Sequence, residues 1–551
     1  MSKIDKRRIV KNVGSSWFSL STDVAVGIFL SPFILHRLGD AAFGVWILIF
    51  SVTGYYGLFD LGIRSSVVRY VSKFTATGDI EDLGKLVNTS LFSYSCIGTL
   101  SFLVTAVLSV YVDHIFRIPP ELHAAARWLL LMVGASVGLG FPLGVVGGFL
   151  DGLQRFDVNN WAGIAANIAR VVLIVIALQQ GLGLLTIAAI TVVIPIITSI
   201  ARGIIAYHIQ PVPFGFKYVD RGTFRMIAHY SSATLVIMIA TQLKFKSDNI
   251  VIATMISASA VTYFTIGSRI VSYAQQVVMA LAQNFLPIAS QSEATGNMDR
   301  LRKVFVAGNR FCALTALPIT ATLLILGKSI IEVWVGKRYV DISYPILLIL
   351  IIPATLMWVQ AASGRVLFGI SKHRTWGWVT LSEGIVNLIL SIALVRYFQH
   401  THPYPPYYGI YGDAYGTAIP LLCTMTFFLP WHLCRLLGIR MWTYLREAFV
   451  LPIALLVPLV GVLLLVRRWY HPHNYRQLLP QLFIVGAFYG LELLWVFKTN
   501  RAFRVGVLVD PRKAALADVS IAKGSDSNGT NVNGTTANGA SAPVEAYQED
   551  V

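Results

Sequence analysis

Charged residues are scarce in this chain. They make up 13% of its 551 residues, whereas soluble domains carry roughly 25%. Hydrophobic residues reach 55%, and a soluble fold of that composition could not cover its surface with polar groups. The shortage therefore argues against a large soluble all-α protein and favours a chain that lies in a bilayer.

Cysteine and catalytic motifs are also scarce. The four cysteines stand singly in or beside apolar runs, with no CxxC pair, which is typical of small buried hydrophobes rather than metal ligands. The chain has no Walker A sequence, no HExxH and no GxSxG. We therefore expect no metal, no cofactor, no self-contained ATP-driven pump and no enzyme.

The net charge of +17 does not indicate nucleic-acid binding. The basic residues are scattered between apolar runs and form no continuous patch with interleaved aromatics. In a membrane protein such charge mostly reflects topology and contact with anionic lipid. The basic N-terminus precedes an apolar run too long for a cleaved signal peptide.

Apolar runs long enough to cross a membrane recur along the chain. A spanning helix needs about 20 mostly apolar residues. The sequence predicts an all-α polytopic membrane protein of about 14 spans. They are 14–36, 41–60, 88–112, 128–150, 159–180, 182–206, 229–256, 258–286, 306–330, 344–368, 376–398, 413–436, 447–466 and 480–498.

Lysine and arginine set the expected orientation. With the N-terminus in the cytoplasm, most basic residues fall on inside segments, as the positive-inside rule requires. Both termini are then cytoplasmic. The stretch 524–542 is rich in Asn, Gly, Ser, Thr and Ala and cannot bury enough surface to fold, so we expect 501–551 to be a disordered cytoplasmic tail.

Two short sequence matches indicate an internal repeat. ATGDIEDLGK at 76–85 matches ATGNMDRLRK at 294–303, 218 residues later. GLQR at 152–155 matches GISK at 369–372, at an offset of 217. Both pairs fall on inside loops, so we expect two parallel six-helix repeats with a substrate site between them. The predicted domains are 1–212, 213–440, a two-helix appendix at 441–500, and the tail.

Ionisable residues inside spans are the candidate functional residues. Each costs about 2.5–3.5 kcal/mol on insertion scales, so by default it faces a cavity or a partner. The candidates for a cationic, substrate-binding cavity are Lys244, Lys246, Arg269, Arg170, Arg310 and Arg365. The candidates for gating or ion coupling are Asp23, Asp60, Arg64, Asp248 and Glu383.

Structural alternatives remain open for several of these residues. Lys244 and Lys246 would snorkel to the interface if they did not line the cavity. Lys244 and Asp248 are four residues apart, so they could pair on one helix face. Asp60 and Arg64, also four apart, fit a structural clamp as well as a gate. A cationic cavity would suit an anionic substrate, because arginine and lysine bind phosphate well.

Several segments resemble a known family. PFILHRLGDAAFGVW at 32–46 is similar to the first helical hairpin of O-antigen and polysaccharide flippases, within the multidrug/oligosaccharidyl-lipid/polysaccharide exporter superfamily. LFDLGI at 58–63 resembles that family's inner loop, GLQR at 152–155 the end of its fourth helix, and DNIVI at 248–252 its seventh. The resemblance covers about residues 10–440.

The resemblance implies a MATE-like fold and flipping of undecaprenyl-diphosphate-linked oligosaccharide by alternating access, in a bacterial plasma membrane. It implies coupling to a proton or sodium gradient. A polysaccharide polymerase is a possible partner. A drug/cation antiporter and a lipid II flippase of the same fold are the alternatives. A membrane enzyme needs a large outside loop or a carboxylate cluster inside, and the sequence shows neither.

Overall fold

A computed structural model describes residues 3–60, 63–372, 374–401 and 407–499. These residues form helices and connecting turns, with no strand among them. The predicted tail at 501–551 lies outside the described residues.

The first half of the chain contains seven α-helices. They are α1 (Lys3–Leu38), α2 (Asp40–Gly54), α3 (Ile63–Thr77), α4 (Ile80–Ile115), α5 (His123–Gly152), α6 (Phe156–Gln179) and α7 (Leu184–Ile209). A 3₁₀ turn, Tyr55–Asp60, follows α2.

Eleven further helices complete the described chain. They are α8 (Arg221–Met255), α9 (Ala258–Ala282), α10 (Phe285–Ala294), α11 (Met298–Val335), α12 (Val340–Val359), α13 (Ala361–Gly369), α14 (Arg374–Thr401), α15 (Tyr408–Cys423), α16 (Leu429–Leu437), α17 (Met441–Trp469) and α18 (Tyr475–Thr499).

Eleven helical segments of the described chain are long and apolar enough to cross a membrane. They confirm the predicted all-α polytopic class. The predicted spans 14–36, 229–256 and 258–286 fall on α1, α8 and α9, which are not among the eleven. Polar and charged side chains lower the hydropathy of α8 and α9, so the count of fourteen stays a prediction.

Several helices run past the predicted spans. Helix α4 begins eight residues before the span predicted at 88–112, and α11 eight before 306–330. Polar residues lie in these extra turns, which extend beyond the hydrocarbon core. A helix can continue there because its backbone hydrogen bonds remain internal and only its end needs a cap. Hydropathy alone therefore identifies the membrane-embedded part of each helix and misses its ends.

The first sequence match corresponds to the same turn in both halves. Gly78 and Gly296 both adopt positive φ, at 75° and 64°, where a side chain would be strained. The next residue then caps a long helix. The Asp79 carboxylate accepts the Asp82 N–H at 3.0 Å, and the Asn297 amide oxygen accepts the Arg300 N–H at 2.8 Å.

The second match carries the same tertiary contact in both halves. Ser72 Oγ donates to the Gly152 carbonyl at 2.6 Å, and Ser290 Oγ donates to the Gly369 carbonyl at 3.0 Å. In the turns that follow, Gln154 and its counterpart at 371 are the two non-glycine residues of the described chain with positive φ. The parallel repeat is therefore confirmed. Its exact boundaries at 212 and 440 stay predictions.

Equivalent helices of the two repeats pack against each other. Gly44 on α2 approaches α9 so closely that a methyl group there would collide with the Ala258 carbonyl. Thr262 Oγ1 donates to the Asp40 carbonyl at 2.7 Å. Residues 40 and 44 correspond to 258 and 262 at the repeat offset, so each half makes the same contact on the other, as across a two-fold axis. We call this α2–α9 contact the seam.

Two sets of connections mark opposite ends of the long helices. We call the Gly39 end the side formed by the α1–α2, α4–α5, α8–α9 and α11–α12 connections. The Gly78 end is formed by the α3–α4, α5–α6, α10–α11 and α13–α14 connections.

Helices α17 and α18 pack on the second repeat. Leu459 and Leu463 on α17 and Val485 on α18 are buried with Leu326 of α11. Tyr489 donates its hydroxyl to a main-chain carbonyl of α11 at 2.6 Å. The predicted appendix therefore adds to the outside of one half.

Large apolar side chains remain exposed on the outward faces of several helices. Water would not tolerate this surface, whereas lipid would cover it. Examples are Leu103, Val107, Trp128, Ile197, Ile204, Val457, Phe483 and Trp495.

The backbones of α4 and α5 touch at a pair of glycines. A methyl group on Gly98 would collide with the Gly138 carbonyl. We expect Gly98→Leu to destabilise the protein by about 1–3 kcal/mol, as overpacking of a tight core does. Gly461→Leu, at a mid-helix site on α17 with open space, is the matched control. Thermal unfolding in detergent would measure both, and equal melting temperatures would contradict the close crossing.

Candidate functional site

A cation lies at the middle of the seam. Arg269 on α9 donates from Nη1 to Ser31 Oγ on α1 at 2.8 Å. The symmetric contact joins Asn249 on α8 to Ser51 on α2, at 2.9 Å from Nδ2 to Oγ. Residues 31 and 51 of the first half correspond to 249 and 269 of the second. Arg269 therefore places a positive charge where the first repeat has a neutral serine.

Lys246 adds a second cation beside the first. Its Cε would lie 3.8 Å from a methyl group on Gly54, so the side chain crosses from α8 to the end of α2. Gln242 on the same helix donates to the Gly54 carbonyl at 2.7 Å. Lys246 is exposed and lies close enough to Arg269 for their charges to repel. Two like charges held together in this way favour binding of an anion.

The Asp40 carboxylate joins the two repeats at the Gly39 end. Tyr339 donates its hydroxyl to Oδ1 at 2.5 Å, and Tyr263 donates to Oδ2 at 3.1 Å. The Arg338 guanidinium forms an ion pair with the same carboxylate. Three side chains of the second half therefore bind one acidic group of the first. We call these four residues the Asp40 cluster.

Main-chain contacts close the same end from both repeats. The Arg117 N–H donates to the Ala253 carbonyl at 3.0 Å, and its carbonyl accepts the Ala258 N–H at 3.1 Å. In the other direction, Trp334 Nε1 donates to the Ile28 carbonyl at 2.6 Å. The α4–α5 connection thus binds the second half, and the end of α11 binds the first. Both halves are fastened together at this end.

A group of buried carboxylates lies within the second repeat. Asp248 on α8, Glu383 on α14 and Asp413 on α15 are each less than a tenth exposed. Thr417 donates one hydroxyl proton, with Oγ1 3.1 Å from Asp248 Oδ1 and 3.3 Å from Asn387 Oδ1. Neither carboxylate oxygen of Asp413 has a hydrogen-bond partner among the described residues, and Asp248 and Asp413 lie close enough to repel each other when both are ionised. We call these five residues the acidic cluster.

Asp60 and Arg64, the candidates for a clamp or a gate, bind different partners. Tyr94 on α4 donates its hydroxyl to Asp60. Arg64 instead pairs with Asp151 on α5, at 3.0 Å from Nη2 to Oδ2. A four-residue spacing brings side chains together within one α-helix, whereas Asp60 belongs to the 3₁₀ turn and Arg64 to α3.

The other three candidate cavity arginines lie on α6, α11 and α13. Arg170 donates to Asn167 on its own helix at 2.7 Å. Arg310 donates from Nε to the Glu447 carbonyl of α17 at 2.6 Å, so this guanidinium binds the appendix. Arg365 lies half-buried on the short helix α13. A place for these three in one cavity with Arg269 stays a prediction.

Two other predicted residues cannot be placed. The side chains of Asp23 and Lys244 lie outside the described residues. The predicted pairing of Lys244 with Asp248 is therefore untested, although Asp248 has a partner on α15.

Sequence reasoning missed Asp40 and Asp413. Asp40 reads as an ordinary acidic residue in the first turn of a helix, where the helix dipole favours it. Its three partners lie more than 220 residues away, so no local pattern connects them. Asp413 falls on the first residue of the span predicted at 413–436, which reads as an interfacial position. The structure buries it completely.

The Asp40 cluster predicts a change in access at the Gly39 end. We expect Asp40→Asn to remove the ion pair and raise the rate at which a cysteine at Ser31 reacts with a bulky maleimide added from that side. The background chain would have its four cysteines replaced by serine. Asp113→Asn is the matched control, because Asp113 is equally buried and pairs with Arg127 inside one repeat, at 2.7 Å. Equal rates in the two variants would contradict a closing role.

Comparison with known proteins agrees with this architecture. The sequence model of the family described as polysaccharide biosynthesis protein matches residues 9–293, just over half of the chain. The uncharacterized membrane protein EpsK of Bacillus subtilis (strain 168) is 22% identical over 454 residues, covering 79% of this chain and 85% of its own length. A putative O-antigen transporter of Shigella flexneri is 21% identical over 350 residues, covering 62% of this chain and 81% of its own length.

The fold is also shared with solved transporter structures. The lipid II flippase MurJ in an inward closed conformation superposes with a TM-score of 0.66 at 15% identity, over 88% of this chain and 98% of the flippase. The expected MATE-like fold is thereby confirmed. With the family match over 9–293, the chain belongs to the polysaccharide biosynthesis protein family, whose relatives and structural neighbours include membrane transporters and flippases.

Proposed function

We propose that this protein is a flippase that carries an undecaprenyl-diphosphate-linked oligosaccharide across a bacterial plasma membrane by alternating access, for surface polysaccharide biosynthesis. It acts as a transporter and makes or breaks no covalent bond in its substrate. The observation that carries the proposal is the cation pair of Lys246 and Arg269 at the seam of two parallel repeats.

The location of these cations supports an anionic substrate. Arg269 touches α1 and Lys246 lies against α2, so both side chains reach from the second repeat to the first. A ligand held there would contact both repeats and would sense their relative movement. A diphosphate offers several oxygens to guanidinium and ammonium donors. The name of the Shigella relative, a putative O-antigen transporter, agrees with a lipid-linked glycan.

The two alternatives of the same fold differ in what the seam should bind. A drug/cation antiporter would need carboxylates rather than Arg269 and Lys246 at the seam, whereas the buried carboxylates of the acidic cluster lie on α8, α14 and α15. A lipid II flippase would also bind a diphosphate. The likeness to MurJ at 15% identity supports the fold and does not select the sugar.

The acidic cluster supports coupling to a cation gradient. Asp248, Asp413 and Glu383 are buried, and Asp248 and Asp413 would repel each other when both are ionised. A carboxylate buried in a membrane protein is costly in its charged form, and binding of a proton or sodium ion would lower that cost. Since α8 carries both Asp248 and Lys246, a movement of α8 on ion binding at Asp248 would also move Lys246 at the seam.

The orientation follows the positive-inside rule. We place both termini in the cytoplasm, so that the Gly78 end, with its basic turns at 300–303 and 372, faces the cytoplasm. The Gly39 end then faces the opposite side, where a polysaccharide polymerase would receive the flipped sugar. Lipid-linked substrate would enter from the cytoplasmic leaflet and leave at the Gly39 end.

The seam cations predict a loss of transport. In proteoliposomes with fluorescent undecaprenyl-diphosphate oligosaccharide, we expect Arg269→Ala and Lys246→Ala each to lower the flipping rate about tenfold or more, because each removes a charged contact to the diphosphate. Arg269→Lys should retain part of the rate, since it keeps the charge and loses the fork of donors. The readout is the fraction of labelled sugar that becomes accessible on the far side.

Arg310→Ala is the matched control for this experiment. Arg310 lies in a transmembrane helix as Arg269 does, but it binds the appendix at the Glu447 carbonyl. We expect this variant to flip at the wild-type rate per folded molecule, even where its melting temperature falls. The proposal would be contradicted by full flipping in Arg269→Ala and Lys246→Ala, or by proton-driven efflux of organic cations without any movement of lipid-linked sugar.

The acidic cluster predicts a loss of coupling rather than a loss of binding. We expect Asp248→Asn to make the flipping rate independent of an imposed proton or sodium gradient, because a neutral amide takes up no proton near neutral pH and binds sodium far more weakly than a carboxylate does. Slow equilibration of substrate between leaflets should remain. The measurement is the ratio of rates with and without each gradient, with Asp113→Asn as the control. An unchanged ratio in Asp248→Asn and in Asp413→Asn would exclude the cluster as the coupling site.

A further inference from the structure

Two guanidinium groups converge on one carboxylate in the first repeat. Arg64 on α3 pairs with Asp151 on α5, at 3.0 Å from Nη2 to Oδ2. Asn159 on α6 donates to the other carboxylate oxygen at 2.7 Å. Arg202 on α7 donates from Nη2 to the Asn159 carbonyl at 2.9 Å, and its charge interacts with both Arg64 and Asp151. Four helices thus meet at one charged group.

The group carries more positive than negative charge. Asp151 neutralises one guanidinium, and the second has no carboxylate of its own within this group. Arg202 Nε is buried and has no acceptor among the described residues. The amide oxygen Oδ1 of Asn159 is also buried and accepts from no donor in the described part of the chain. A structural clamp between helices would need one arginine for one aspartate, so the extra charge and the unused donor call for another partner.

The group is reachable from an open strip on α5. Arg64 is 56% exposed although Asp151 is 15% exposed, so the guanidinium is accessible and the carboxylate is covered. Gly140 and Gly144 have open space where a side chain would stand. A methyl group on Gly147 would meet the Arg64 guanidinium alone, at 3.7 Å. These glycines lie on one helix face at spacings of four and three residues, so the strip leads to Arg64.

We propose that Arg64 and Arg202 form a second anion site, which binds a phosphate or diphosphate group, and that Asp151 occupies the Arg64 donors while the site is empty. An arriving phosphate oxygen would replace Asp151 on Arg64 and accept the unused N–H of Arg202. The site lies inside the first repeat, apart from Arg269. It rests on the proposed function only for the identity of the anion as a lipid-linked diphosphate.

The direct test is binding of farnesyl diphosphate to the full chain in nanodiscs of neutral lipid. We expect Arg202→Gln to weaken binding about tenfold, as loss of a charged hydrogen bond does, and Asp151→Asn to tighten it by a similar factor because the competing carboxylate is gone. Arg127→Gln and Asp113→Asn break an equivalent ion pair within the same repeat and serve as matched controls. Binding that is tighter in Asp151→Asn cannot come from misfolding.

Additional ligands separate the possible sources of the anion. Farnesol should bind wild-type protein and Arg202→Gln with equal affinity, since it lacks the diphosphate. Inorganic pyrophosphate should show the same variant pattern if the anion alone is recognised, and phosphatidylglycerol should show it if a membrane lipid headgroup is the natural ligand. Gly144→Leu should weaken binding of farnesyl diphosphate and leave binding of pyrophosphate unchanged, because the leucine side chain would fill the strip on α5 that the prenyl chain of the ligand would occupy.

The outcomes are distinct from those of the flipping assay. Unchanged affinities in both Arg202→Gln and Asp151→Asn, or equal binding of farnesol and farnesyl diphosphate, would overturn this second site even in a chain that flips its substrate. If the variants show the expected affinities but the protein moves no lipid-linked sugar, the anion site would be supported and the proposed transport function would be contradicted.

Discussion

The close crossing of α2 and α9 is the contact on which the rest of the molecule depends. Gly44 lets the two backbones meet at the Ala258 carbonyl, and Thr262 bonds the Asp40 carbonyl in return. Because equivalent residues of the two repeats make both contacts, the crossing has local two-fold symmetry. A larger residue at 44 would push the repeats apart and separate the groups that bind Asp40.

Symmetry of the backbone does not extend to its charges. At one equivalent position the first repeat has Ser51 and the second has Arg269, although each side chain bonds across to the other half. The second repeat buries carboxylates such as Asp248 and Asp413, whereas the first gathers arginines around one aspartate. We propose that the two repeats therefore bind different ions. Anions would bind at the seam and in the first repeat, and a cation would bind in the second repeat.

Much of the fold could be predicted from the sequence, because a membrane helix must be apolar along its length and a repeat must keep its turns. The ATG turns at 76–78 and 294–296 predicted the repeat, which the matching φ values and caps confirm. The site was harder. Arg269 stands out as a charge in mid-span, but Asp40 looks like a helix cap, and Arg310 looks like a cavity residue until its contact with α17 is known. Such partners are distant in sequence, and hydropathy carries no information about them.

The central claim is that the two repeats separate at the Gly39 end when the lipid-linked sugar binds at the seam. Spin labels at Arg37 and Thr254, exposed residues of opposite repeats at that end, would report the distance by pulsed electron paramagnetic resonance. We predict one short distance in the free protein and a second, longer population when undecaprenyl-diphosphate oligosaccharide is added, absent in Arg269→Ala. An unchanged distance with saturating substrate, in wild-type protein that flips it, would contradict the account.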